Sequence, residues 1–74
     1  MKESHESAGI APGQLRVWRW VNSTKDGRMF LVLRVKRRVP EYNDAWELLE
    51  DDGYLESMFG DNIEFRSEIV AEAE

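Results

Sequence analysis

Residues Arg28 to Arg38 read RMFLVLRVKRR, and this stretch decides the fold. It is strongly apolar, β-branched at Val32 and Val35, and closes on a cluster of cations. Branched and apolar side chains suit a pleated surface that is packed against something. No other stretch is both as long and as apolar, so it is expected to be the central strand of a small sheet. Alternation assigns Met29, Leu31, Leu33, Val35 and Val39 to one face, the expected core face. Phe30 and Val32, then Arg34, Lys36 and Arg38, fall on the other. Pro40 ends the strand, because it has no N–H for a ladder and restricts Val39.

Upstream, Gln14 to Asn22 (QLRVWRWVN) is expected to be a strand. Leu15, Val17 and Val21 share one face; Arg16, Trp18 and Trp20 share the other. Ser23 to Gly27 (STKDG) is turn chemistry, since Asp26 and Gly27 tolerate positive φ. Two strands around such a loop make a β-hairpin. Its register stays open from sequence, and a slip of one residue would move both Trp18 and Trp20 to the opposite face.

Downstream, Asn43 or Asp44 can cap a helix. Ala45, Trp46, Leu48 and Leu49 then form an apolar stripe, and Gly53 is a natural stop. Residues 54–59 (YLESMF) keep helical spacing at Leu55, Met58 and Phe59, so helix is expected there too. Gly60, Asp61 and Asn62 form a turn. Residues 63–70 (IEFRSEIV) alternate, with Ile63, Phe65 and Ile69 inward, and are expected to be a third strand with one wet face. The expected fold class is α+β: a small β-β-α-β domain, an antiparallel three-stranded sheet with a helical segment packed on one face. Residues 1–13 are expected to be a disordered tail, 14–70 a single domain and 71–74 an acidic tail.

The chain has 74 residues and no cysteine, so neither a disulfide nor a thiolate metal site supplements a small core. The N-terminal stretch has no apolar run of the signal-peptide kind, and a soluble, cytoplasmic placement is expected. The net charge of −5 is unevenly spread: residues 1–13 balance to −1, 14–40 to +7 and 41–74 to −11. Such asymmetry points to an interaction surface.

An enzyme is not expected. Acid–base catalysis needs paired titratable groups held in a pocket, and the carboxylates here are expected on an exposed helix face. The one histidine, His5, lies in the tail without a fixed partner. Glu50, Asp51, Asp52 and Glu56 are dense in oxygen ligands but lack the spacing of a calcium loop, so no metal and no cofactor are expected.

Two binding surfaces remain. Glu47, Glu50, Asp51, Asp52 and Glu56 could offer a basic partner protein an acidic surface, for example on a nucleic-acid-handling enzyme. Trp18, Trp20, Phe30 and Arg34 would add an aromatic–arginine patch, a composition common at interface hot spots. In the alternative, Arg16, Arg34, Lys36 and Arg38 would bind nucleic acid beside the tryptophans. Against it stands the expectation that Arg34, Lys36 and Arg38 pair with Glu64 and Glu68 across the sheet. A homodimer through an exposed edge strand is a further possibility. No membrane partner is expected.

In element order and acidic balance the chain resembles small virus-encoded proteins that bind and block host enzymes. That resemblance is one of architecture and charge, and no residue carries over from it. It implies a small, non-enzymatic protein-binding module acting as an inhibitor or regulator.

Overall fold

In the computed structural model, which describes residues 9–72, β1 spans Leu15–Trp18 and β2 spans Met29–Arg37. They pair antiparallel, with Leu15 opposite Leu31, Arg16 opposite Phe30 and Val17 opposite Met29. β1 stops at Trp18, four residues short of the expected Asn22, and the connection is correspondingly longer. That loop is built by its own polar groups. Asp26 accepts the Trp20 N–H at 2.7 Å, Ser23 Oγ accepts the Lys25 N–H at 3.1 Å, and Gly27 takes φ +84°.

Beyond the hairpin the expected β-β-α-β order is overturned. Residues expected to be helical form two more strands, β3 at Ala45–Glu50 and β4 at Leu55–Phe59. The expected third strand starts as a helix, α1 at Gly60–Arg66, and becomes β5 only at Ser67–Ala71. The sheet has five antiparallel strands in the order β4-β3-β2-β1-β5.

The reason is visible in AWELLE. Leu48 and Leu49 are adjacent, so the segment fits a helical stripe and a strand with two apolar faces equally well. β2, also apolar on both faces, supplies the partner that decides it, with Val32 opposite Leu48 and Leu31 opposite Leu49. Asp52-Gly53 then turns the chain, Gly53 at φ +88°, and Glu50 N–H bonds the Tyr54 carbonyl at 2.8 Å to start the return strand. α1 is entered from β4 without a side-chain cap at Phe59. Asn43 Oδ1 instead accepts the Asp61 N–H at 3.0 Å, and the helix keeps an acid in its first turn and Arg66 in its last.

The core lies on the face expected to be the outer one. Trp18, Phe30, Val32, Trp46, Leu48 and Ile63 are buried together, with Ile10 closing one end. Ile10 belongs to the span expected to be tail; Met1 to Ala8 lie outside the described residues. Inward parity in β2 also changes along its length. Register shifts between Val32 and Arg34 and between Val35 and Arg37 turn the inward positions from even to odd, so that Val35 joins Trp46. Aromatic size explains the inversion. Trp18 stacks on Phe30 with ring centroids 4.3 Å apart, and filling the space under a small sheet takes that volume.

Trp18 is fully buried, whereas Trp20 sits half-buried at the edge of the same cluster. Truncating a fully buried tryptophan costs about 3–5 kcal/mol. A domain of this size holds on the order of 5 kcal/mol in total. Trp18→Ala is therefore expected to leave the chain largely unfolded in water, and Trp20→Ala to leave it folded with a lowered midpoint. Urea titration followed by circular dichroism measures both.

Candidate functional site

The buried face leaves a second sheet face uncovered. Leu15 lies opposite Leu31, Leu31 opposite Leu49, and Leu49 opposite Leu55, so a row of leucines crosses four adjacent strands. Val17 and Met29 form the neighbouring pair. By alternation these side chains point away from Trp18, Phe30 and Leu48. Leu15, Val17, Leu31 and Leu49 are half-buried by one another, while Met29 and Leu55 are exposed. Ile63 of α1 and Ile10 both pack into the core on the opposite side, and among the described residues no element covers the leucine row. Leu15, Met29, Leu31, Leu49 and the turn at Asp51 and Gly53 enclose a shallow hollow of about 340 Å³.

The acids expected on one helix face are dispersed and paired. Glu47 accepts from Arg34 Nε at 3.0 Å. Asp51 and Asp52, in the β3–β4 turn, both meet Arg28, at 2.7 and 3.1 Å. Glu56 accepts from Lys25. Glu50 is buried. The basic and acidic segments of the sequence are neighbouring strands, so the segregation along the chain becomes cross-strand neutralisation in space. The pairing with Glu64 and Glu68 expected for the β2 cations does not form. Arg38 meets Asp44 at 3.5 Å, and Glu68 meets Arg19 at 3.3 Å.

The aromatic patch is likewise inside. Trp18 and Phe30 are core, and Trp20 lies under the Arg66 guanidinium, 4.7 Å from its ring centroid. Arg16 is buried, donating to Ser67 Oγ at 2.8 Å and Gln14 Oε1 at 2.7 Å, and burial lowers its pKa. It is therefore not available to a phosphate. Arg34, Lys36, Arg37 and Arg38 are exposed at the far end of β2.

None of Leu15, Leu31, Leu49 and Leu55 is expected at the surface from the sequence pattern, which puts Leu31 on the core face and Leu49 and Leu55 on apolar helical stripes. The signal was present: both β2 and AWELLE are apolar on both faces, and a sheet with one helical layer covers only one.

Comparison with protein families, characterised proteins and solved structures gives no match to this chain.

Among the described residues no group of three or more His, Asp or Glu side chains is placed to hold a metal ion. Glu50 is the buried member of a titratable cluster with the half-buried Lys25 and Glu56. Glu50 Oε1 accepts the Trp18 indole N–H at 3.2 Å, and Lys25 Nζ stands 3.6 Å from Glu50 Oε2. That second oxygen is buried without a hydrogen-bond partner among the described residues. Burial, with the Glu56 carboxyl alongside, raises the Glu50 pKa, outweighing the Trp18 bond and the Lys25 charge. Burial alone would lower Lys25, but its bond to Glu56 and the charge of Glu50 leave it raised. Asp51 is lowered, first by the Arg28 hydrogen bond, and Asp52, first by the Tyr54 N–H.

A carboxyl raised in the fold contributes stability at pH values below its ordinary pKa and loses it as pH rises. As pH rises above the ordinary carboxyl range, burial of Glu50 therefore works increasingly against folding. Glu50→Gln keeps an acceptor for Trp18 and removes the buried charge. The variant is expected to be more stable than the parent at pH 7, and the difference to shrink as pH falls through the carboxyl range to about 4. Denaturant titrations of both proteins at the two pH values measure the difference.

Proposed function

We propose that this chain is a small, non-enzymatic protein-binding module whose contact surface is the outer sheet face. The single observation that carries the reading is the row Leu15–Leu31–Leu49–Leu55 with Val17 and Met29 beside it, apolar and uncovered among the described residues. A contiguous apolar patch rimmed by polar residues is the usual mark of a protein interface. The rim is here: Arg34 with Glu47 on one side, Arg28 with Asp51 on the other. Those ion pairs are partly exposed, each through its arginine, so they contribute little affinity and fix orientation instead.

The acidic-surface version of this reading takes a narrower form. Asp51 and Asp52 stay on the surface beside the leucines, while Glu50 is inside. They serve as the rim of an apolar contact rather than as a phosphate mimic. An inhibitory or regulatory role in the cytoplasm belongs to the same proposal. No described helix is long and apolar enough to cross a membrane.

Leu31→Glu places a charge at the centre of this face without touching the core. Capture experiments with the tagged parent and the tagged variant are expected to retain a partner with the parent and lose it with Leu31→Glu. Equal retention by both would remove the outer face from function.

A second reading has one observation in its favour. Lys36 and Arg37 are exposed, and no described carboxylate lies within 4 Å of either. With Arg34 and Arg38 they make a basic end to β2 that could contact a nucleic-acid backbone. The stacking platform that such binding would use is absent there, since Trp18 and Phe30 are buried. This reading expects binding of single-stranded DNA or RNA that falls with salt and with Lys36→Glu; fluorescence anisotropy with no change at low salt would dispose of it.

A further inference from the structure

We propose that the occupant of the outer face is a second copy of this chain, packed face to face about a two-fold axis. The inference rests on the outer-face reading above and names the partner.

The shape of the face is self-complementary. The hollow walled by Leu15, Met29, Leu31 and Leu49 lies beside its own complement, the projecting side chain of Leu55, which is 58% exposed. Leu55 stands opposite Leu49, on the same face and one strand away. A two-fold axis carries each copy's Leu55 to the hollow of the other. Every contact is then made twice and the assembly closes, as an isologous interface must. Pairing of two sheets face to face is also an ordinary way to cover an apolar sheet.

The size is adequate. The molecule measures 33 × 29 × 19 Å, and its five strands, spaced by about 4.8 Å, span roughly 19 Å across, with loops extending the outline. An outline of that size offers roughly 700 Å², close to the ~800 Å² per partner of a stable interface. The leucine row alone would fall short, so the rim must take part.

Charge allows it. A chain of net charge −5 repels its copy in general, but the rim of this face sets Arg28 and Arg34 against Glu47, Asp51 and Asp52, a balance of only −1. Arg34 stands with Glu47 at one flank and Arg28 with Asp51 at the other. Each flank presents a cation and a carboxylate, so the facing flank of a second copy can exchange pairs with it. Asp61 and Glu64 sit on α1, the layer on the opposite side of the sheet. A strongly basic partner finds an excess of only one acid around the leucine face, whereas a second copy finds its own pattern.

Sedimentation equilibrium of the full chain from about 1 μM to about 1 mM covers the affinity range of such an interface. The parent is expected to reach twice the chain mass within that range. Leu31→Glu and Leu55→Glu are each expected to weaken association by about tenfold or more while keeping the parent's circular dichroism. Leu31 lies at the centre of the face; if its variant fails to fold, Leu55→Glu, at the exposed edge strand, carries the test. A parent that stays at single mass throughout, or a dimer that persists unweakened in a folded outer-face variant, overturns the inference. A monomeric parent that still retains another protein, and loses it with Leu31→Glu, overturns only the second copy as occupant. Retention indifferent to Leu31→Glu overturns the outer-face reading itself.

Discussion

The indole of Trp18 ties the structure together. It stacks on Phe30 from β2, tilts against Trp20 at 5.5 Å, and donates its N–H to Glu50 of β3. Lys25 of the hairpin loop stands over its ring at 5.8 Å. One side chain thus connects β1, β2, β3 and the loop. Its position also fixes parity: once Trp18 and Phe30 point inward, Leu15, Val17, Met29 and Leu31 must point outward. The uncovered apolar face is a consequence of where the aromatics went.

The charge distribution follows from the same topology. A basic β2 beside an acidic β3 converts a lopsided sequence into Arg34–Glu47 and Arg28–Asp51 pairs at the surface. Pairs of this kind add little to stability. Their effect is on the outer face, which they leave nearly neutral. The buried polar groups behave differently. Arg16, Gln14 and Ser67 form a linked set under β1 and β5, in which Ser67 also donates to the Ile63 carbonyl. Such a set specifies how β5 docks, because a slip would leave a guanidinium buried without acceptors.

The hairpin was legible because its turn chemistry and its two strands agreed. β3 and β4 were not, although Asp52-Gly53 carries the same turn signal as Asp26-Gly27. The stripe of Ala45, Trp46, Leu48 and Leu49 fits a helix, and the apolar strand of β2 that captures it is a tertiary fact. α1 was hidden by the alternation of Ile63 and Phe65, of which Ile63 is core and Phe65 is 82% exposed. At the candidate site, Asp51, Asp52 and Arg34 lie on the surface, the two acids in a turn between strands rather than on a helix face. The burial of Glu50, Arg16, Trp18 and Phe30 depends on register, and short-range pattern does not encode it. Leu31 was expected in the core with the larger apolar set of its strand, and Leu49 and Leu55 on helical stripes; aromatic volume on the other face reversed the first, and pairing with β2 the second.

β5 lies against β1, with Trp18 opposite Ser67 and Val17 opposite Glu68. The strand that carries the central tryptophan therefore finds one of its two neighbours about fifty positions further along the polypeptide. During synthesis the hairpin and its meander can form early, but β1 stays an open edge until Ser67 to Ala71 have left the ribosome. Pairing over such a separation is slow relative to local contacts. Until it happens, both flanks of the sheet and its leucine face are exposed together, and the nascent chain passes through its most adhesive state just before it closes.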